Sequence, residues 1–299
     1  MIRNLDEIIE SAKKTPKVVA VAAAEDPVVL SAIKEAIAEE IAIFRLFGSA
    51  LKIDKLAHDV GLEKGFTVED CTSTKDSVFR AVKSITSGDS DLLMKGHVKT
   101  GELLSVFLKD ENGLKTGRTM NLVTVFQLKK YHKLLTVTDA GMVISPDLQQ
   151  KMDSIVNAAS VARAIGIERP KVAVLGAVET VNAKMPVTLE AAILSQMSKR
   201  GQLGEVEVDG PLALDNAISA SAASHKGITG SVAGDADILI MPDIEAGNIF
   251  YKSMAFLSDA ELASTIVGGK VPVILTSRAD SDKTKLQSIA LNVLLAGVR

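Results

Sequence analysis

Ser277 and Arg278 place a hydroxyl beside a guanidinium in the run L275-T-S-R-A-D-S. Arginine grips phosphate through paired hydrogen bonds, and a serine hydroxyl can donate to an oxyanion as it forms. The plainer reading is a surface arginine and a capping serine. In D91-L-L-M-K-G-H-V-K-T, Lys95, His97, Lys99 and Thr100 crowd around Gly96, a set of potential cations and a hydroxyl that suits a polyanion. Lys99 taken singly reads as part of a solvated turn. Further on, A233-G-D-A-D-I-L-I-M-P-D-I-E-A-G-N-I-F-Y-K carries Gly247 and Asn248 at the opening of a helix. Glycine permits close approach to the backbone, and free N–H groups at a helix start attract anions. Asp243 and Glu245 there read as ordinary loop acids. Arg118, in T116-G-R, is a second candidate phosphate clamp, and Asp139, in T138-D-A-G-M, could anchor a cation or a substrate amide.

These groups need elements to hold them. Residues 271–275 are apolar and predict a buried strand that delivers Ser277 and Arg278 at its carboxyl end. Ser281 and Asp282 predict the cap of a helix through Leu286, Ile289, Leu291 and Leu294. Ligands of open α/β sheets bind at the carboxyl ends of strands. The same rhythm starts early. Residues 18–24, 41–47, 66–71 and 91–95 predict strands. Pro27 opens a helix, Ser73 caps another, and 53–60 and 100–108 read as two more. Such alternation implies a mostly parallel sheet covered by helices on both faces. Residues 119–128 and 134–137 form β-rich runs that could pair antiparallel. Beyond them, helices are expected over 146–166, 188–202, 212–223 and 246–257, and strands over 172–175 and 236–241. E205-V-E-V-D-G-P reads as a short strand and turn. The domain organisation expected is a first lobe of residues 1–126 plus 264–299 and a second of 127–263.

Composition excludes several classes. A chain of 299 residues suits one large or two ordinary domains. Its longest apolar runs fall far short of the roughly 20 residues a membrane helix needs. The opening M-I-R-N-L-D-E-I-I-E carries acids inside its apolar pattern, unlike a secretory signal. A cytoplasmic protein with no membrane partner is expected. The lone Cys71 excludes an internal disulfide and a thiolate metal cage, and it reads as a small buried hydrophobe. Net charge is -3 and aromatics are 3%, which gives a nucleic-acid surface no support. The acids lack His or Cys at ligand spacing, so no metal is expected. K129-K-Y-H-K reads as a solvated loop between strands. His58 and His225 read as surface or structural residues. No dinucleotide or P-loop fingerprint appears, and no Gly-x-Ser-x-Gly elbow.

Taken together, M94-K-G-H-V-K-T, T138-D-A-G-M, D209-G-P-L-A-L-D-N-A, the A233–K252 run and L275-T-S-R-A-D-S resemble the butyryl branch of the phosphate acetyl/butyryltransferase family. The likeness is strong from about Asp91 onward. It implies two α/β/α lobes of the isocitrate/isopropylmalate dehydrogenase-like type, an active site in the interlobe cleft, and a homodimer or higher homo-oligomer. It implies the reaction butanoyl-CoA + phosphate = butanoyl phosphate + CoA, with acyl-CoA and inorganic phosphate as partners. Coenzyme A is then a substrate, with no cofactor or metal bound. The family's catalytic Ser-Arg falls on Ser277 and Arg278. Phosphate and CoA contacts are expected from Lys95, Gly96, His97, Thr100, Arg118, Asp139, Gly247 and Asn248. The acetyl branch carries an aspartate, thought to deprotonate the thiol, where this chain has Thr284, and an arginine that the stretch T100-G-E-L-L-S-V-F lacks. Both departures favour the butyryl branch and leave the thiol's base unassigned.

Rival readings are a phosphate acetyltransferase, an acyl-carrier-protein phosphate acyltransferase of lipid synthesis, and a metal-dependent hydroxy-acid dehydrogenase on the same architecture. The last needs clustered carboxylates, and the acids here are mostly single. A two-lobe anion-binding protein is the non-enzyme alternative. It needs no Ser-Arg pair.

Overall fold

The computed structural model describes residues 1–275 and 280–297. The chain folds into two compact units, one of Leu5–Gly117 with residues from Ala263 onward, the other of Met1–Asn4 with Arg118–Leu262.

The first unit opens with α1 (Leu5–Ala12), β1 (Lys17–Ala22), α2 (Pro27–Ala38), β2 (Ala42–Gly48), α3 (Ala50–Val60) and β3 (Phe66–Asp70). It continues with α4 (Thr74–Thr86), β4 (Leu92–Lys95) and α5 (Thr100–Phe107). The second unit holds β5 (Asn121–Gln127), β6 (Leu135–Thr138), α6 (Leu148–Ala164), β7 (Lys171–Leu175), α7 (Pro186–Lys199) and β8 (Glu207–Leu212). It goes on through α8 (Leu214–Ile218), α9 (Ala220–His225), β9 (Ile238–Ile240) and α10 (Ile244–Leu257). The chain returns to the first unit with β10 (Glu261–Val267), β11 (Val273–Ile274) and α11 (Asp282–Gly297).

In the first unit the strand order is β3-β2-β1-β4-β11-β10. All neighbours are parallel except β10 against β11. From β1 the chain steps outward to β2 and β3, then crosses to the other side of β1 to lay down β4. The gap between β1 and β4 is therefore a topological switch point. Right-handed crossovers put α2 and α3 on one face and α4 on the other. Buried Val19, Val21, Phe44, Leu46, Leu93 and Met94 form the core between them.

In the second unit the order is β5-β6-β9-β7-β8. The β5–β6 pair is antiparallel, as its β-rich runs suggest, and the remaining neighbours are parallel. Phe126, Val137, Leu175, Leu239 and Met241 share a core against which Phe250, Tyr251 and Met254 of α10 pack.

Helix starts follow local chemistry. Asp26 caps α2 ahead of Pro27, Ser73 caps α4, and Asp147 with Gln150 makes a reciprocal capping box on α6. Ser281 Oγ accepts from Thr284 N at 3.1 Å at the start of α11.

The sequence reading needs correction at several places. The stretch read as a turn at Gly210–Pro211 lies inside β8, and the helix expected over 212–223 is two short helices split at Ser219. Proline is tolerated there because β8 ends the strand order of its unit. Strand β10 was not expected at all.

Candidate active site

Strands β4 and β11 are parallel neighbours, with Leu93 level with Val273 and Met94 level with Ile274. Two stretches nearly two hundred residues apart in sequence thus end side by side at the carboxyl edge of one sheet. Ser277 and Arg278 themselves lie outside the described residues. Backbone contacts hold the residues that close β4. Lys95 pairs with Ala22 of β1 and turns its ammonium onto the carbonyls of Gly96 at 3.1 Å and Val98 at 3.3 Å. Gly96 N donates to Ala22 O at 2.9 Å, and His97 N donates to Ala23 O at 2.6 Å. A Cβ at Gly96 would collide with the carbonyl oxygen of Ala23. The glycine is needed so that two backbones can touch. Thr100 begins α5, with Lys99 at its cap position.

Asp26 joins this group, and the sequence reading missed it. It is 6% exposed. One carboxylate oxygen caps α2, accepting from Val28 N at 2.9 Å and Val29 N at 3.4 Å. The other lies 3.7 Å from Nδ1 of His97. The sequence does hold a signal: an acid directly before the helix-opening Pro27, just past a strand flanking the switch point. It reads first as a cap, and it is one.

The second unit gathers Asp139, Gly247 and Asn248. Asp139 follows β6 and is buried. Its Oδ1 accepts from Gly141 N at 2.9 Å, Met142 N at 3.2 Å and Leu122 N at 3.3 Å, and its Oδ2 from Val143 N at 2.9 Å. Burial pushes the carboxyl above the usual range, while these backbone N–H groups work the other way. Both oxygens serve the loop. Gly247 lies in the first turns of α10, where a Cβ would collide with the carbonyl oxygen of Asp139. Asn248 Nδ2 donates to Ala140 O at 3.0 Å. Here the glycine admits a neighbouring backbone. Asp243 caps α10 through Ala246 N at 2.8 Å, so it is the ordinary loop acid expected. Arg118 is exposed at the start of this unit's main segment, ahead of β5.

The K129-K-Y-H-K run is a pinned loop. Lys129 pairs with Asp259 at 2.6 Å, and Tyr131 donates to Ala236 O at 2.7 Å. Lys133 bridges Asp235 and Asp237 at 2.9 and 2.6 Å, while His132 meets Asp235 at 2.8 Å. Cys71 is buried, and burial raises its thiol pKa. His58 is exposed, and His225 Nδ1 is 2.8 Å from Ser221 O. Among the described residues, no group of three or more His, Cys, Asp and Glu gathers to hold a metal, and no helix is long and apolar enough to cross a membrane.

The family model described as "Phosphate acetyl/butaryl transferase" matches residues 62–293, from before β3 to within α11. The chain belongs to this family. It is 48% identical over 293 residues to a phosphate acetyltransferase of Thermotoga maritima, covering 98% of this chain and 99% of the relative. It is 46% identical over 299 residues to a phosphate butyryltransferase of Clostridium acetobutylicum, covering 99% of each. Among solved structures, a branched-chain phosphotransacylase from Enterococcus faecalis superposes with a TM-score of 0.84 at 33% identity, over 93% of this chain and 98% of that one. The family assignment reached from the five sequence motifs therefore stands. The mixed α/β fold is shared with these transferases.

Proposed function

We propose that the protein is an acyltransferase that moves a short acyl group, butyryl or similar, between CoA and inorganic phosphate. The observation that supports this reading is the β4–β11 register, which ends β11 beside the strand that leads into Lys95, Gly96 and His97. In this reading Arg278 holds phosphate against the carbonyl, and Ser277 donates to the oxyanion of the tetrahedral intermediate. Lys95, His97 and Thr100 face the phosphate and CoA oxygens, and Gly96 sets the loop that presents them. Arg118 is the second phosphate contact. Gly247 and Asn248 contribute at the start of α10, and Asp139 acts through the loop it holds. CoA is a substrate, and the chemistry uses no bound cofactor. The two units follow the isocitrate/isopropylmalate dehydrogenase-like layout, the chain works in the cytoplasm, and it assembles as a homo-oligomer.

Acetyl transfer is the second reading, favoured by the acetyl-named relative. Against it stand Thr284, whose hydroxyl lies in a capping turn 3.0 Å from Ser281 Oγ, and the absence of arginine from α5. Release of free CoA thiol from a panel of acetyl-, propionyl-, butyryl-, isobutyryl- and isovaleryl-CoA, with and without phosphate, tests both. Phosphate-dependent release fastest with the four-carbon substrates is expected. Each methylene in an apolar pocket is worth about 1–3 kcal/mol of discrimination, enough to separate the panel. No phosphate-dependent release from any member would overturn the function.

A further inference from the structure

We propose that Ser77 is a positioning residue for the loop that follows β4: it locks Ala23 in a left-handed turn, and Ala23 in turn seats Gly96 and His97. The inference rests on the acyl-transfer reading, in which that loop carries phosphate and CoA contacts, and adds what holds the loop in place. Among the described residues, Ala23 and Glu40 are the non-glycine residues with positive φ, at 53° and 59°. Glu40 follows the C-cap of α2, and its N–H donates to Ile37 O at 3.0 Å, an ordinary helix ending. Ala23 ends no helix. It directly follows β1 at the switch point and is 1% exposed.

A left-handed residue that carries a side chain is costly, and it persists only where its surroundings hold it. Both backbone polar groups of Ala23 are held. Its N–H donates to Ser77 Oγ at 2.6 Å, and its carbonyl accepts from His97 N at 2.6 Å. Ser77 lies inside α4 and is fully buried. Hydroxyls inside helices often turn back to the carbonyl one turn earlier. This one donates instead to Phe47 O at 2.7 Å, near the end of β2. Phe47 O also accepts from Ala24 N at 3.0 Å. One buried hydroxyl thus ties the ends of β1 and β2 together and fixes the turn between β1 and α2.

That turn sets the loop after β4. Gly96 N donates to Ala22 O, directly before the turn, and His97 N donates to Ala23 O, within it. A Cβ at Gly96 would collide with both of those carbonyl oxygens, so the loop rests against the turn with no spare room. Were Ala23 to relax to negative φ, its carbonyl would swing away and the His97 N–H would lose its acceptor. Ser77 makes no contact with substrate in this account. It acts through Ala23, by selecting the one backbone conformation that receives the loop.

The test follows phosphate-dependent release of CoA thiol from butyryl-CoA, together with the melting temperature, in wild type, Ser77→Ala, Ala23→Gly and the double variant. Small misplacements at a reacting centre cost up to about 10²-fold in rate, so Ser77→Ala should lose at least about tenfold in kcat/KM for phosphate, per folded molecule. Glycine takes a left-handed turn at no steric cost, so Ala23→Gly alone should stay within about threefold of wild type. For the same reason Ala23→Gly should restore the Ser77→Ala enzyme to within about threefold of wild type. Its melting temperature should remain below that of wild type, because the buried N–H of residue 23 still lacks its hydroxyl acceptor. That split separates positioning from plain stability, which glycine would not rescue. Wild type without phosphate-dependent release from any short acyl-CoA would sink the acyl-transfer reading itself. Active wild type, with kcat/KM for phosphate unchanged in Ser77→Ala, would sink the positioning role alone. So would a double variant no more active than Ser77→Ala, including the case in which neither folds.

Discussion

Asp26 and Asp139 are both 6% exposed, and each stands just past the end of a strand. They do different work. Asp139 has both oxygens engaged by N–H groups of its own loop and of Leu122. Asp26 gives one oxygen to the cap of α2 and turns the other toward an exposed imidazole. Burial of a carboxylate is therefore not a mark of function. What separates the two is whether an oxygen is turned to a side chain or only to backbone.

The largest expected effect is at Arg278. Arg278→Ala should lower kcat by on the order of 10²–10³, the usual loss when a transition-state donor is removed. Its melting temperature should stay near that of wild type, because in the proposed reading the residue meets phosphate. Near-wild-type turnover with butyryl phosphate and CoA would remove Arg278 from the mechanism and take away the reason for giving the two aspartates different tasks.

Asp139→Asn inverts that outcome. An amide offers one acceptor oxygen and brings its own N–H groups toward donors that have nowhere else to turn. A buried donor left unsatisfied costs about 1–3 kcal/mol, so a loss of roughly 3 kcal/mol in denaturant unfolding is expected. The kcat of the folded fraction should fall less than tenfold. A stable but inactive Asp139→Asn would show that Asp139 touches substrate, and the contrast with Asp26 would collapse.

The glycines sharpen the same comparison at smaller scale. Gly96→Ala and Gly247→Ala each drive a methyl into a backbone oxygen, of Ala23 and of Asp139 respectively. Overpacking of this kind costs about 1–3 kcal/mol. Gly96→Ala should in addition lower kcat by about tenfold, because the displaced loop carries Lys95 and His97, the proposed phosphate and CoA contacts, out of place. Unchanged kcat in Gly96→Ala would mean that the loop does not position those contacts.

Much of this was legible in sequence, for physical reasons that also mark where legibility stops. Strands at 17–22, 42–48 and 92–95 are apolar runs closed by cap residues, so local pattern suffices. Strand β10 was not legible. Its Ser264 and Thr265 are buried, and their partners are Ser288 and Asn292 on α11. A strand whose buried polar atoms reach a distant helix carries little local strand signal. The K129-K-Y-H-K run is the loop between strands that was expected, but its ion pairs were not legible, since Asp235 and Asp237 lie about a hundred residues on. The candidate site was legible as far as Lys95, Gly96 and His97 because their types and crowding are unusual. Asp26 was hidden because one atom of it does an ordinary job.

A third aspartate carries the smallest effect and the clearest sign. Asp235 sits at the amino end of the parallel strands of the second unit, ahead of β9 and against Lys171 of β7 at 2.6 Å. Partial burial would raise its pKa, but hydrogen bonds from Lys171, Lys133 and His132 outweigh it and hold the carboxyl well below the usual carboxylate range. A group depressed in the folded state adds stability above its unfolded value, about 3.9, and loses it as pH falls through the folded one. Asp235→Asn should therefore melt a few degrees below wild type at pH 7, a modest drop because the side chain is 38% exposed and solvent screens the network. The gap should narrow steadily below about pH 4, where the wild-type carboxylate begins to lose its advantage over the unfolded chain. An equal gap at pH 7 and pH 3 would mean that the lysines hold Asp235 by shape alone, and that charge at this end of the sheet contributes nothing to the fold.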